Sequence, residues 1–228
     1  MKFASGGAGI PYYQELGRTT LASPATTFSV SSFDQKPLLL LMISGETDQT
    51  NADHSWRFNS DSSSNYNIRY RFNGGSSGCD TSVDQIRPLG TTANQPFFDI
   101  AYIANYSDEE KLVTGFGNQY TGTAGGTRNN YFGKWANSSA AITTVTAVNV
   151  QTSGSRQYLA GSEIVVLGLD PDDTSGDSAW EELANVTLTS GGDTLDSGTF
   201  TSKKYLYIEF TCIPDGNITT QMRFNTDS

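Results

Sequence analysis

One histidine, a few scattered carboxylates, an acidic run and a polar turn written twice are the residues here whose types and spacing suit chemistry. His54 stands in the stretch ADHSWRF beside Asp53. A serine hydrolase needs a histidine base held by a carboxylate within reach of the hydroxyl, and serines are so frequent that adjacency selects none. The later stretch that matches ADHSWRF is ITTQMRF, which has no histidine, so no catalytic residue is assigned. Asp80, Asp84, Asp99 and Glu163 are acids that a fold can bring together. Glycoside cleavage requires two such groups across the scissile bond, but a chain with 24 acidic residues makes this a weak signal. The sequence shows no His/Cys cluster for zinc, no G-x-G-x-x-G turn and no phosphate loop.

The acidic run DPDDTSGDSAWEE begins at Asp170. Asp170, Asp172 and Glu181 occupy the first, third and twelfth places of a calcium loop, yet the glycine falls one position late, at Gly176. A solvated linker is the favoured reading. Calcium is the weak alternative, with no other metal or cofactor expected. The most specific local feature is RFNSDSSSNY at 57–66, repeated as RFNTDS at 223–228. Asn and Asp side chains cap such turns through their own backbone. Arg57, Asn59 and Asp61, with Arg223, Asn225 and Asp227, are read as a structural turn in which each arginine pairs with the aspartate four residues on. Sugar binding is the competing use, since amide, carboxylate and aromatic groups suit carbohydrate. Among the large aromatics most are expected in a core or interface; Tyr131 and Trp135 are the candidate glycan contacts.

Elements must position these groups, and the chain shows how they are laid out. QELGRTTLAS at 14–23 matches EELANVTLTS at an offset of 167, and 8 of 23 positions from 14 to 36 are identical. Further on, five of the six positions 57–62 recur at an offset of 166. The reading is a tandem: a flexible arm over 1–10, a first β module over 11–169, an acidic linker over 170–180, and the first third of a second, homologous module over 181–228. Four strands cannot close a sandwich, so the second copy is expected to be completed by further chain or by a neighbouring subunit. In the arm, Ile10, Tyr12 and Tyr13 are candidate docking anchors that order on binding.

Only 17% of residues are charged, and Ser, Thr, Asn, Gly, Tyr and Phe are abundant. That is the composition of an all-β protein. Strands are expected at 19–22, 27–31, 37–45, 53–59, 67–72, 97–105, 110–119, 130–136, 141–150 and 163–169, with a turn of helix at most over 108–112. Residues 38–43, LLLLMI, are apolar at every position and predict a strand covered on both faces. An antiparallel, jelly-roll-like β-sandwich is the expected fold. A net charge of −10 argues against a phosphate backbone as ligand. The apolar run at 38–43 is too short to insert in a bilayer, and residues 1–9 lack the core of a leader peptide. Cys79 and Cys212 are unmatched between the copies and read as isolated buried thiols. Four Asn-x-Ser/Thr sequons, at Asn105, Asn137, Asn185 and Asn217, are read as accidents of composition.

RFNSDSSSNY, then IANYSDEEKLV, GKWANSSAAITTVTAVN and YLAGSEIVVLGLD, in this order, resemble a module of tailed-bacteriophage virion structural proteins, tail fibre and capsid-decoration proteins among them. Ser63 and Ser64 stand where many relatives carry glycine. The resemblance spans residues 12–170 and implies a non-enzymatic particle component, located in the virion after assembly in the host cytoplasm. It implies other virion proteins as partners and a homo-oligomer, a trimer by preference, with no nucleic acid and no membrane insertion. Receptor or glycan binding, through loops such as 74–84 and 122–130, is the alternative function.

Overall fold

The computed structural model describes residues 13–50, 52–120, 126–149, 156–170, 183–192, 194–208, 216 and 221–225. Chain contacts divide the molecule into two units, Met1–Trp180 and Glu181–Ser228.

The first unit is a two-sheet antiparallel β-sandwich. Its strands are β1 (Gln14–Thr20), β2 (Thr27–Val30), β3 (Leu38–Gly45), β4 (Ala52–Phe58), β5 (Tyr66–Phe72), β6 (Ser77–Val83), β7 (Ile86–Thr91), β8 (Phe97–Ala104), β9 (Lys111–Gln119), β10 (Thr127–Trp135), β11 (Val145–Asn149) and β12 (Glu163–Leu169). The larger sheet runs β1-β12-β3-β8-β9-β10-β5-β6 and the smaller β2-β11-β4-β7. No helix occurs among the described residues: residues 107 and 108 form a turn, and Lys111 and Leu112 already belong to β9. The expectation of a helical turn over 108–112 is therefore corrected. Two strands stand where the sequence promised loop. β6 is rich in Ser, Gly and Asp yet pairs with β5 through a bulge, and β7 completes the edge of the small sheet.

Strand alternation sets the core. Leu39, Leu41 and Ile43 of β3 face Trp56 and Phe58 of β4, together with Tyr131 and Trp135 of β10, in one buried cluster. Leu40 and Met42 point the other way and are buried as well, so β3 is covered on both faces as its sequence predicts. β9 runs against its hydrophobic pattern. It turns Lys111, Val113 and Gly115 inward and leaves Leu112 and Phe116 outside. The reason lies in β10: a Cβ at Gly115 would sit 2.3 Å from the Tyr131 ring, so that ring fits only where β9 presents a glycine. A slip of one residue would exchange the two faces.

Connectivity separates the first four strands from one another. β12 lies between β1 and β3, and β11 between β2 and β4. No ladder joins any two of β1–β4; all their partners fall within residues 86–169. The second unit repeats the sequence of those four strands without that partner region. None of its described residues is in a strand, whereas residues 14–45 contain β1, β2 and β3. Strand backbone must hydrogen-bond across a sheet, so a segment copied without its partners keeps the sequence and not the ladder.

Candidate functional site

A cluster of polar side chains is buried between the two sheets of the first unit. Asp99 on β8 accepts hydrogen bonds from Trp56 Nε1 at 2.9 Å, His54 Nε2 at 3.2 Å and the Tyr131 hydroxyl at 2.8 Å. His54 Nδ1 lies 3.0 Å from the Tyr158 hydroxyl. With Nε2–H donating to Asp99, a neutral imidazole leaves Nδ1 as an acceptor facing the Tyr158 hydroxyl. The Tyr158 hydroxyl also donates to Val148 O at 3.0 Å. Burial, and then the Asp99 charge, hold the Tyr131 phenol well above its ordinary range. Burial likewise raises Tyr158. All five side chains are at most 1% exposed. A substrate has no path to them, and the constellation joins the two sheets. This overturns Tyr131 as a glycan contact.

Trp135 is corrected on the same ground. It is buried, stacks on Tyr66 with ring centroids 6.3 Å apart, and donates from Nε1 to Asp61 Oδ2 at 2.7 Å. Asp61 also accepts from Ser63 N at 2.8 Å and Asn65 Nδ2 at 2.9 Å. Burial pushes the Asp61 pKa up, and these donors more than offset it, leaving it lowered to about 2. Asn59 adopts the left-handed conformation with φ 48°. Its side chain donates to Ala141 O at 2.7 Å and accepts from Thr143 N at 2.9 Å and Thr144 N at 3.1 Å. The Asn59 and Asp61 side chains of the RFNSD turn bond within the fold, and the arginine pairing differs from the expected one. Arg57 bonds Asp84 and Gln85, not Asp61. An arginine at the end of a strand reaches the neighbouring strand's loop more easily than its own turn. Of the repeat, Asn225 is also left-handed at φ 53°, and Arg223 donates to Gln221; Asp227 lies outside the described residues.

The dispersed acids stay dispersed. Glu163 pairs with Arg18 at 2.8 Å, Asp84 with Arg57, and Asp80 with Arg87 at 3.2 Å. Asp99 is in the core. No group of metal-ligating side chains occurs among the described residues; Asp172 and Glu181 of the calcium candidate lie outside them. Cys79 is exposed on edge strand β6, correcting its assignment as a buried thiol. Asn105, a sequon residue, is buried and bonds Lys36 O and Ile142 on both sides of its amide.

Among the described residues, the outer face of the large sheet carries exposed apolar side chains. Cross-strand register places Tyr102, Thr114, Phe132 and Arg69 in one row across β8, β9, β10 and β5. The adjacent row holds Phe116, Asn130 and Arg71, and the row on the other side Leu112, Lys134 and Asn67. Phe132, Leu112 and Phe116 are 64%, 59% and 51% exposed. Tyr13, Leu38, Tyr102, Leu112 and Phe132 line a groove of about 440 Å³ on this face. Tyr13, a candidate anchor of the docking arm, lines this groove, while Ile10 and Tyr12 lie outside the described residues. β5, β9 and β10 carry no acidic residue, although they hold Arg69, Arg71, Arg128 and Lys134. Lys134 is paired with Glu110 at 2.7 Å, whereas Arg69, Arg71 and Arg128 form no ion pair among the described residues. Sequence reasoning missed this face. The loops singled out instead are partly strand, 77–83 in β6 and 127–130 in β10. The available signal was the pair Leu112 and Phe116, apolar residues of β9 on the side opposite Gly115.

No protein-family model, curated protein or solved structure matches the chain.

Proposed function

We propose that this protein is a non-enzymatic structural component of a tailed-phage particle, working by contact through the outer face of its large sheet. The observation that carries the proposal is the pairing of sealed polar chemistry with an open apolar, arginine-rimmed surface. Exposed apolar patches bordered by polar groups mark interaction sites in soluble proteins, and aromatic residues with arginine are enriched in protein interfaces. The motif resemblance supplies the setting. The assembled form in this reading is a homo-oligomer, a trimer by preference, docked on other virion proteins. Purified particles are the test: the chain is expected in them at a fixed copy number, with Phe132→Asp reducing incorporation while the isolated chain stays folded. Absence from particles, or unchanged incorporation of that variant, overturns the proposal.

A second function, binding an acidic host polysaccharide, is favoured by Arg69, Arg71 and Arg128 standing beside Phe132 and Phe116 without ion-pair partners among the described residues. Its test is titration with an acidic capsular polysaccharide at two ionic strengths, where binding is expected to weaken with salt and to vanish in Arg69→Glu/Arg71→Glu.

A further inference from the structure

The two sheets of the first unit end on β1, β6, β2 and β7, and three of these edges carry features that block further pairing. β1 is interrupted by a bulge between Glu15 and Gly17 and holds the Glu15–Arg18 ion pair. β2 is four residues long. β7 contains Pro88, and its register against β4 is shifted by a bulge. Bulges, charge, proline and shortness are the devices that keep sheet edges from pairing with other chains. β6 differs. Its irregularity lies opposite the stretch between Tyr66 and Ile68, while Ser77–Asp80 pair without a break against β5. Those four residues include no Lys, Arg or Pro, and the one charge, Asp80, is paired with Arg87 at 3.2 Å.

The ladder with β5 fixes what this edge offers. Phe72 N donates to Ser76 O at 2.8 Å, so Phe72 and Ser76 form a hydrogen-bonded pair in the register of the two strands. Bonded and non-bonded pairs alternate along an antiparallel ladder. Tyr70–Gly78 and Ile68–Asp80 are therefore bonded pairs, whereas Ser77 and Cys79 turn their N–H and C=O groups away from β5. No strand lies beyond β6 among the described residues. Both Ser77 and Cys79 are exposed. Tyr70 adds an independent mark. Its ring lies across Gly78, where a Cβ would come within 2.4 Å of the ring and of its hydroxyl oxygen. That hydroxyl makes no hydrogen bond among the described residues.

We infer that β6 pairs with β6 of a second copy of this chain, antiparallel about a two-fold axis at Cys79. Cys79 then stands opposite the partner's Cys79, the two exchanging both backbone hydrogen bonds, and Ser77 stands opposite the partner's Thr81. Gly78 faces the partner's Asp80 on the side where the Tyr70 ring lies. The carboxylate thus meets an unused hydroxyl donor at a position with no side chain of its own. An axis at Asp80 sets like charges face to face, which is unfavourable; an axis at Gly78 leaves the Tyr70 hydroxyl beside a glycine with no side-chain acceptor. Only a strand with its carboxylate one residue past the axis completes the Tyr70 contact on both sides. β6 itself is such a strand, and two-fold contacts are self-complementary in this way. The contact joins two large sheets edge to edge, leaves the outer face open in both copies, and does not depend on the particle reading. Its area is small, so association is concentration-dependent.

The test uses the full chain under reducing conditions. Sedimentation velocity from low micromolar to millimolar concentration is expected to show monomer giving way to dimer. Over the same series, the Ser77 and Cys79 amides are expected to exchange about threefold or more slowly, while Gly78 and Asp80, already bonded to β5, change less. Cys79→Lys places two cations at the axis from an exposed position and is expected to weaken the dimer about tenfold or more. A monomer throughout, a dimer whose Ser77 and Cys79 amides exchange at the monomer's rate, or an equally strong dimer in Cys79→Lys overturns the inference. The exchange series needs no substitution in β6, so it decides the question even where that variant fails to fold.

Discussion

Residues 14–58 and 183–225 are written in the same order of apolar, polar and turn residues; the first contains β1–β4, and none of the described residues of the second is in a strand. The contrast isolates what a β-strand needs. Both segments have alternation, both have the RFN turn, and both place apolar residues at the same positions. Every strand of the first pairs with residues 86–169. Helical stretches satisfy their backbone internally, but strands satisfy theirs only on a neighbour, so in this topology local sequence sets the turn and leaves the ladder to distant chain.

The sharpest way to break the contrast is to remove a partner from the first unit. Val166 is fully buried in β12, and Val166→Asp puts a charge at the centre of both sheets' shared core. A cost of about 4 kcal/mol or more is expected, read as loss of exchange protection over residues 14–58 with residues 183–225 unaffected. A smaller effect tests the close approach of Gly17 to Val30. Gly17→Ala is expected to cost about 1–3 kcal/mol by overpacking against Val30, and Val30→Ala in the same chain is expected to recover part of it, with a coupling of at least about 0.5 kcal/mol in denaturant unfolding.

Asn59 and Asn225 sharpen the comparison at a single position. Asn59→Ala removes three hydrogen bonds to residues 141–144 and a residue suited to positive φ, with an expected cost of about 1–3 kcal/mol. Asn225→Ala is expected to shift thermal unfolding by less than about 0.5 kcal/mol. The last effect is with acid. The folded pKa of Asp61 lies below its unfolded value of 3.8, so its contribution is complete above that value and is lost as pH falls toward about 2. Denaturant midpoints measured from pH 5 to pH 2 are expected to fall less steeply in Asp61→Asn than in the parent chain.

Much of the first unit was legible. Leu38–Gly45 announces a doubly covered strand because every position from 38 to 43 is apolar, and the Phe97–Ala104 alternation marks which face carries Ala101 and Ile103. β6 was not legible, since Ser, Gly and Asp dominate a strand whose ladder with β5 comes from an edge position. The candidate surface was not legible either. Tyr131 and Trp135 have the residue types of a sugar platform, and only their neighbours Asp99 and Asp61 show that their polar ends are satisfied inside.

The sequence alone determined the all-β character, the sites of the turns and the repetition of one segment, because composition, alternation and side-chain capping act within a few residues. The tertiary structure decided which aromatics are core and which are surface, and which distant strands β1–β4 pair with. Those choices rest on pairing between residues more than a hundred positions apart, such as Gln14 with Gly168, and no local pattern contains them.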